Sequence, residues 1–224
     1  MLKRTVAMLA LATLVGAPAM AQEHRAVVDV LFGYSFADGV QTDQALLAQD
    51  GNLYNRIDPK DSFKWGLGGG ALVGPNLEVG FKFGQAMSKL EVGGTKTVEV
   101  GDITINNYHG YVGYNFGDPE MPARLYFFGG LGATQFGQVD YTRINGAPGT
   151  TSSDTQFSTT WGIGLKLFPS NGKVGASFGI QWTPTYIKST AGGTWCDPYW
   201  GCYVTGNPHY SNAWDLNGGL SFRF

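Results

Sequence analysis

Eight stretches of this sequence place a large apolar residue at nearly every second position, with glycine, hydroxylic, amide or charged residues between them. A period of two marks an extended strand, whose successive side chains point to opposite faces. In VVDVLFGYSF, Val28, Val30, Phe32, Tyr34 and Phe36 share one face, and Asp29, Gly33 and Ser35 share the other. Phe63, Trp65 and Leu67 likewise oppose Lys64, Gly66 and Gly68, while Val79, Phe81 and Phe83 oppose Glu78, Gly80 and Lys82. Tyr108, Val112 and Tyr114 oppose His109, Gly113 and Asn115. The second half repeats the pattern, with Leu125, Phe127 and Leu131 opposite Arg124, Tyr126 and Phe128, and Trp161, Ile163 and Leu165 opposite Gly162, Gly164 and Lys166. Phe178, Ile180 and Trp182 then face away from Ser177, Gly179 and Gln181. In the last run, Trp214, Leu216, Leu220, Phe222 and Phe224 face away from Asp215, Asn217, Ser221 and Arg223. Beyond residue 22 the sequence shows no helical period and no apolar run of the roughly 20 residues that a membrane helix requires.

The ions decide which face is inside. Asp29, Lys64, Glu78, Lys82, His109, Arg124, Lys166, Asp215 and Arg223 all lie on the small-residue face. A dry core built from that face would bury these groups at high cost. If lipid is the apolar solvent, the large apolar face points outward and the polar face inward. In hydrocarbon every backbone amide must be paired within the protein, so strands can cross only as a closed barrel. The expected fold is therefore all-β, an eight-stranded antiparallel up-and-down transmembrane β-barrel. Its inward ions should form one polar network, and inward glycines should leave room for Arg124, Tyr126 and Phe128.

The connections alternate in length. Gly74–Asn76, Gly117–Pro122 and Pro169–Gly172 read as compact turns, whereas 37–61, 88–102, 137–156 and 187–210 read as long loops. This places short turns at one end and long loops at the other, the asymmetry of barrels with periplasmic turns and extracellular loops. Tyr34, Phe36, Trp65, Trp182 and Trp214 fall toward the long-loop end, and Tyr114, Phe116, Phe127, Phe222 and Phe224 toward the other. Two interfacial aromatic belts are expected from that distribution.

Ahead of the first strand, Lys3 and Arg4 precede an apolar stretch of about ten residues and then Ala19-Met20-Ala21, the layout of a secretory signal peptide. Residues 1–21 are expected to be cleaved and residues 22–224 to form a single barrel domain. A net charge of −2 offers nothing to attract nucleic acid. Cys196 and Cys202, the only cysteines, are expected to close a local disulfide in an oxidising compartment. Two thiols alone make a poor zinc site.

The sequence carries no motif that matches a known catalytic or phosphate-binding pattern. The glycines of GLGGGALVG lack the lysine–hydroxyl ending of a phosphate loop and sit within a strand. The histidines lack metal-ligand spacing, and His109 reads as a member of the interior network. His209, Ser211 and Asp215 are the raw material of a serine hydrolase, but the alternation sends Ser211 and Asp215 inside and leaves His209 at a loop edge. No catalytic residue, metal site or cofactor is expected. A secreted lipocalin-like binding barrel would turn its apolar face inward around a ligand, which the ionic opposite face disfavours.

These features, with a terminal strand that carries Leu220, Phe222 and Phe224 on one face, resemble the small eight-stranded outer-membrane barrels of Gram-negative bacteria. These are the OmpA-like and OmpX-like outer membrane protein β-barrel domain families. The resemblance runs from about His24 to Phe224, without the periplasmic peptidoglycan-binding domain of the two-domain members. It implies a cell outer-membrane location, a surrounding of lipid and lipopolysaccharide, and a monomer. It also implies that the barrel-assembly machinery reads Leu220, Phe222 and Phe224 during insertion. The function it implies is a structural or surface-interaction barrel without catalysis, its extracellular ligand left open. A narrow passive pore is the alternative, ahead of a lipid-modifying enzyme.

Overall fold

The computed structural model describes residues 26–47, 52–119, 121–142, 148–169, 172–187, 194–197, 201–204 and 209–224. Its strands are β1 (Ala26–Asp38), β2 (Val40–Leu47), β3 (Leu53–Pro59), β4 (Ser62–Leu72), β5 (Leu77–Gly94), β6 (Val98–Asn115), β7 (Ala123–Phe136) and β8 (Asp140–Thr142). They continue as β9 (Pro148–Thr150), β10 (Asp154–Leu167), β11 (Val174–Ile187), β12 (Thr194–Asp197), β13 (Gly201–Val204) and β14 (His209–Arg223). The expected signal peptide lies outside the described residues.

Eight of these strands, β1, β4, β5, β6, β7, β10, β11 and β14, are the staves of a closed antiparallel barrel. Each pairs with its neighbours in chain order, and β14 returns to β1 in a register running from Val27↔Arg223 to Asp38↔Asn212. At the foot of that seam the Ala26 amide donates to the Phe224 carbonyl (3.2 Å), and the Phe224 amide donates back to Ala26 (3.0 Å). Closure leaves the membrane-crossing staves without a free edge, as a hydrocarbon surround demands.

Alternation sorts the side chains as hydrocarbon requires. Phe32, Phe81, Leu131 and Phe178 are more than half exposed on the outer wall, whereas Asp29, Lys64, Glu78 and Asp215 are buried inside. Rings on the outer wall meet across strands: Trp182 stacks on Trp214 (centroids 5.8 Å apart), and Trp65 meets Phe83 edge-on (5.5 Å). The inner wall has room for its own rings where glycine faces them. A Cβ on Gly162 would sit 2.3 Å from Phe128, and one on Gly164 2.7 Å from Tyr126. The short turns 74–76 and 117–122 use Gly74 (φ 102°) and Gly117 (φ 89°), in the left-handed region that other residues enter at a cost.

Two of the expected long loops are largely strand. The segment 88–102 contains the upper halves of β5 and β6, paired through Ser88↔Ile103 and Val92↔Val98 and joined by residues 95–97. Within 37–61, β2 continues the line of β1, and β3 continues that of β4. Strand β3 takes over beside β5 where β4 ends, from Lys64↔Ala86 to Pro59↔Leu90. The physical reason is an inversion of the alternation. Up to about Ala86 the inner face of β5 is polar or small; above it the inner face carries Leu90 and Val92, and the outer face carries Lys89 and Glu91. Tyr54 and Val92 form one buried cluster, and Leu90, Ile103 and Val139 another, with Ile57 and Val100 packed against both. Outside, Lys89 pairs with Glu99 and Lys60 with Glu91. This is the polarity of a water-facing sheet, so the inversion marks where the wall leaves the membrane. The segment 137–156 holds the small β8–β9 hairpin, and Val139 from its base completes the second cluster.

That upper wall should therefore fail separately from the barrel. Leu90→Ala removes a buried side chain at a cost of about 2–5 kcal/mol. The expected result is protease cleavage within 88–102 while heat-modifiable migration of the barrel persists. Equal resistance of mutant and parent to protease would contradict the account of a separate apolar core.

Candidate functional site

The enclosed lumen gathers the titratable side chains that the alternation turns inward, and it is built in layers. At the short-turn mouth, Arg124 is held by backbone. One of its terminal nitrogens lies within hydrogen-bonding distance of Asn76 Oδ1 (2.9 Å), Asn115 O (3.1 Å), Pro75 O (3.2 Å) and Gly117 O (3.4 Å). Arg223, expected to join the ionic network, instead lays its guanidinium over the Phe168 ring at 3.5 Å and pairs with no carboxylate among the described residues. Phe168 is itself buried at the mouth, occupying space that a Cβ on Gly175 would invade. A planar cation on a ring face is favourable without a counter-ion, which explains how Arg223 tolerates the position.

Above this lies the most connected group. Lys166 Nζ donates to both oxygens of Glu78 (2.8 and 3.0 Å), Tyr111 donates its hydroxyl hydrogen to Oε1 (2.7 Å), and Asn115 donates to Oε2 (3.0 Å). Next, Ser221 donates to Asp29, and the Lys82 ammonium lies 3.5 Å from the centroid of Phe128, with Tyr111 and Tyr126 also within 6 Å. Higher still, Lys64 pairs with Asp215, and His109 Nε2 meets Ser158 Oγ at 2.9 Å. A chain of hydroxyls follows, Ser158 to Thr134 and Thr185 to Thr134 at 3.0 Å each, with Asn107 accepting from Thr134 at 2.9 Å.

The structure thus brings eight of the nine expected inward residues into a buried stack, with Arg223 at its base. Tyr111, Asn115, Ser158 and Thr134 complete it. The parity that placed His109 inside also applies to Tyr111, but a tyrosine in an apolar-looking run carries no mark of its role until Glu78 is seen opposite. Each ion pair is buried, so removing one partner leaves a buried charge without its counter-ion. The spaces between layers are small, each large enough for about one or two water molecules.

Two of the residues considered for hydrolysis have other partners, and the His209 side chain lies outside the described residues. Asp215 is engaged by Lys64 within the lumen, and Ser211 donates to the Asp38 carbonyl (2.9 Å). No group of three metal-ligating side chains converges among the described residues. Strands β12 and β13 set the backbone of Cys196 directly across from that of Cys202. Leu220 and Phe224 are more than half exposed on the outer wall beside the β1–β14 seam, with Phe222 half-buried between them.

The fold has known counterparts. The outer membrane protein OprG of Pseudomonas aeruginosa superimposes with a TM-score of 0.58, at 13% identity over 90% of this chain and 96% of that one. Neisserial surface protein A gives 0.52, at 14% identity over 89% and 97%. The outer membrane protein AlkL in lipid bilayers gives 0.50, at 18% identity over 93% and 95%. At these identities the likeness concerns the fold alone. A search of curated proteins by sequence found no match. The model of the outer membrane protein beta-barrel domain family matches residues 7–224. With its closed eight-stave barrel, its apolar outer wall and its ionic lumen, this chain belongs to the outer membrane protein beta-barrel domain family and is a protein of the outer membrane.

Proposed function

We propose that this protein is a non-catalytic surface barrel of a Gram-negative cell, which uses its rigid membrane wall to display the long-loop end outside. The observation that carries this reading is the ionic stack. Lys166–Glu78 and Lys64–Asp215, with the rings of Tyr111, Tyr126 and Phe128, occupy the lumen that a channel would keep open. The barrel then serves as a mount for the water-facing sheet of β2, β3 and the upper halves of β5 and β6. Lipid and lipopolysaccharide surround it as a monomer, the signal peptide is removed near residue 21, and the assembly machinery reads Leu220, Phe222 and Phe224 at insertion.

A purified barrel in planar bilayers should show no steady conductance. The competing reading, a narrow passive pore, requires reproducible open channels that change when Glu78 or Arg124 is neutralised. Such channels would overturn the occluded-mount reading. The β12–β13 hairpin supports a disulfide between Cys196 and Cys202, which the oxidising route of export would form. Mass spectrometry of that peptide with and without reductant should show the two-hydrogen difference, and free thiols in the untreated protein would refute the bond.

A further inference from the structure

Lys82 belongs to the buried stack but takes no part in its ion pairs. Among the described residues its ammonium makes no ion pair and no hydrogen bond, although the residue is only 9% exposed; what it touches is rings. It lies between two chambers of different character. The chamber on the short-turn side is lined by Asp29, Glu78, Lys166 and Lys82 itself; both Glu78 oxygens are engaged by Lys166, Tyr111 and Asn115, and Asp29 Oδ1 accepts from Ser221. The side chains that give the other chamber its polarity are Lys64, Lys82, Asn107, His109, Gln181 and Asn217, and no carboxylate lines it. Asp215, the partner of Lys64, is not part of that lining.

The charge of the whole lumen leans the same way. Lys64, Lys82, Lys166, Arg124 and Arg223 face only Asp29, Glu78 and Asp215, so inward cationic side chains outnumber carboxylates. A desolvated ammonium with rings on one side still demands an acceptor on the other. The Asn107, Gln181 and Asn217 amides in that lining carry N–H donors, although Gln181 Nε2 also donates to Thr183 Oγ1 (3.2 Å) and His109 Nε2 meets Ser158. The chamber admits about one water-sized particle, which excludes phosphate, sulfate and any organic acid but not a spherical monovalent anion. We propose that the chamber between Lys82 and Lys64 is a binding site for a single halide ion, chloride in the natural setting, coordinated by Lys82 Nζ and the surrounding amides. The site does not depend on the display role proposed for the long-loop end. Bound halide would complete the electrostatics of the lumen and anchor Lys82 against Phe128.

The test uses bromide, which replaces chloride and scatters anomalously. The full barrel, refolded and crystallised in sodium bromide, should show an anomalous peak within the lumen in contact with Lys82 Nζ. The Lys82→Met variant replaces the ammonium with a neutral, unbranched chain one atom shorter that still packs against aromatic rings, and it should lose that peak. Anomalous density confined to surface lysines, or a lumen holding water alone, would overturn the proposal. A peak that persists unchanged in Lys82→Met would overturn it as well. Should the variant fail to insert, the map of the parent protein decides the matter alone.

Discussion

Lys166→Met should lower the unfolding free energy of the barrel by about 3–5 kcal/mol, measured by urea titration in lipid vesicles. The loss follows from what is left behind. Glu78 is 3% exposed and accepts from Tyr111 and Asn115 at 2.7 and 3.0 Å, but those neutral donors cannot balance a full charge. Adding Glu78→Gln to Lys166→Met should recover most of the loss, because a neutral amide keeps hydrogen-bonding partners and leaves no ion unpaired. Replacing both members of a buried pair is often close to neutral where removing one is not. Parent-like stability in the single mutant would show that water reaches Glu78, and the occluded lumen would have to be abandoned. A double mutant as unstable as the single one would instead assign the loss to packing of the Lys166 stem against Tyr126, where the ammonium lies 5.1 Å from the ring centroid.

Phe224→Asp should sharply reduce the amount of barrel in the outer membrane, with the missing protein recovered as a protease-sensitive periplasmic species. Two contributions can be separated at this residue. Its backbone exchanges a pair of hydrogen bonds with Ala26 at the seam, and these survive Phe224→Asp but not deletion. Its side chain, 66% exposed, points to lipid near the edge of the barrel. A charge at that depth costs a finished barrel only about 0–1 kcal/mol, too little by itself to abolish insertion. A large fall in yield for Phe224→Asp, with near-normal stability of the molecules that do insert, therefore points to recognition during assembly. Deletion of Phe224 should reduce yield further and also weaken the inserted barrel. Arg223→Ala should be milder than either, since Arg223 faces the mouth and rests on Phe168. Full outer-membrane yield for Phe224→Asp would remove the assembly role of the terminal aromatic.

The cases where the sequence misleads share a cause. The upper halves of β5 and β6 read as loop because the membrane-crossing pattern has one assignment of faces, apolar out and polar in, that they do not share. At Leu90, Val92 and Ile103 the alternation continues with the faces exchanged, so the strand appears to stop where only its solvent changes. The alternation places Arg223 on the inner face but does not reveal Phe168 as its partner. Parity states which wall a residue lines and says nothing of its height relative to residues on staves far away in sequence. The pairing of Lys166 with Glu78 spans 88 positions, and that of Lys64 with Asp215 spans 151. Such partners depend on the stagger between staves, and no local pattern records it.

Local alternation therefore determined a great deal by itself. It set the number of staves, their antiparallel order, the side of each residue, and lipid as the solvent of the apolar face. Each of these follows from nearest-neighbour stereochemistry and from the rule that hydrocarbon accepts no unpaired backbone. Tertiary structure alone decided which ions meet, that Tyr111 joins Glu78, that Phe128 lies beneath Lys82, and that part of the wall rises beyond the membrane. Those outcomes rest on the register with which the sheet closes on itself. Closure brings together residues more than a hundred positions apart at distances of a few ångströms, and only there does electrostatics distinguish one inward charge from another.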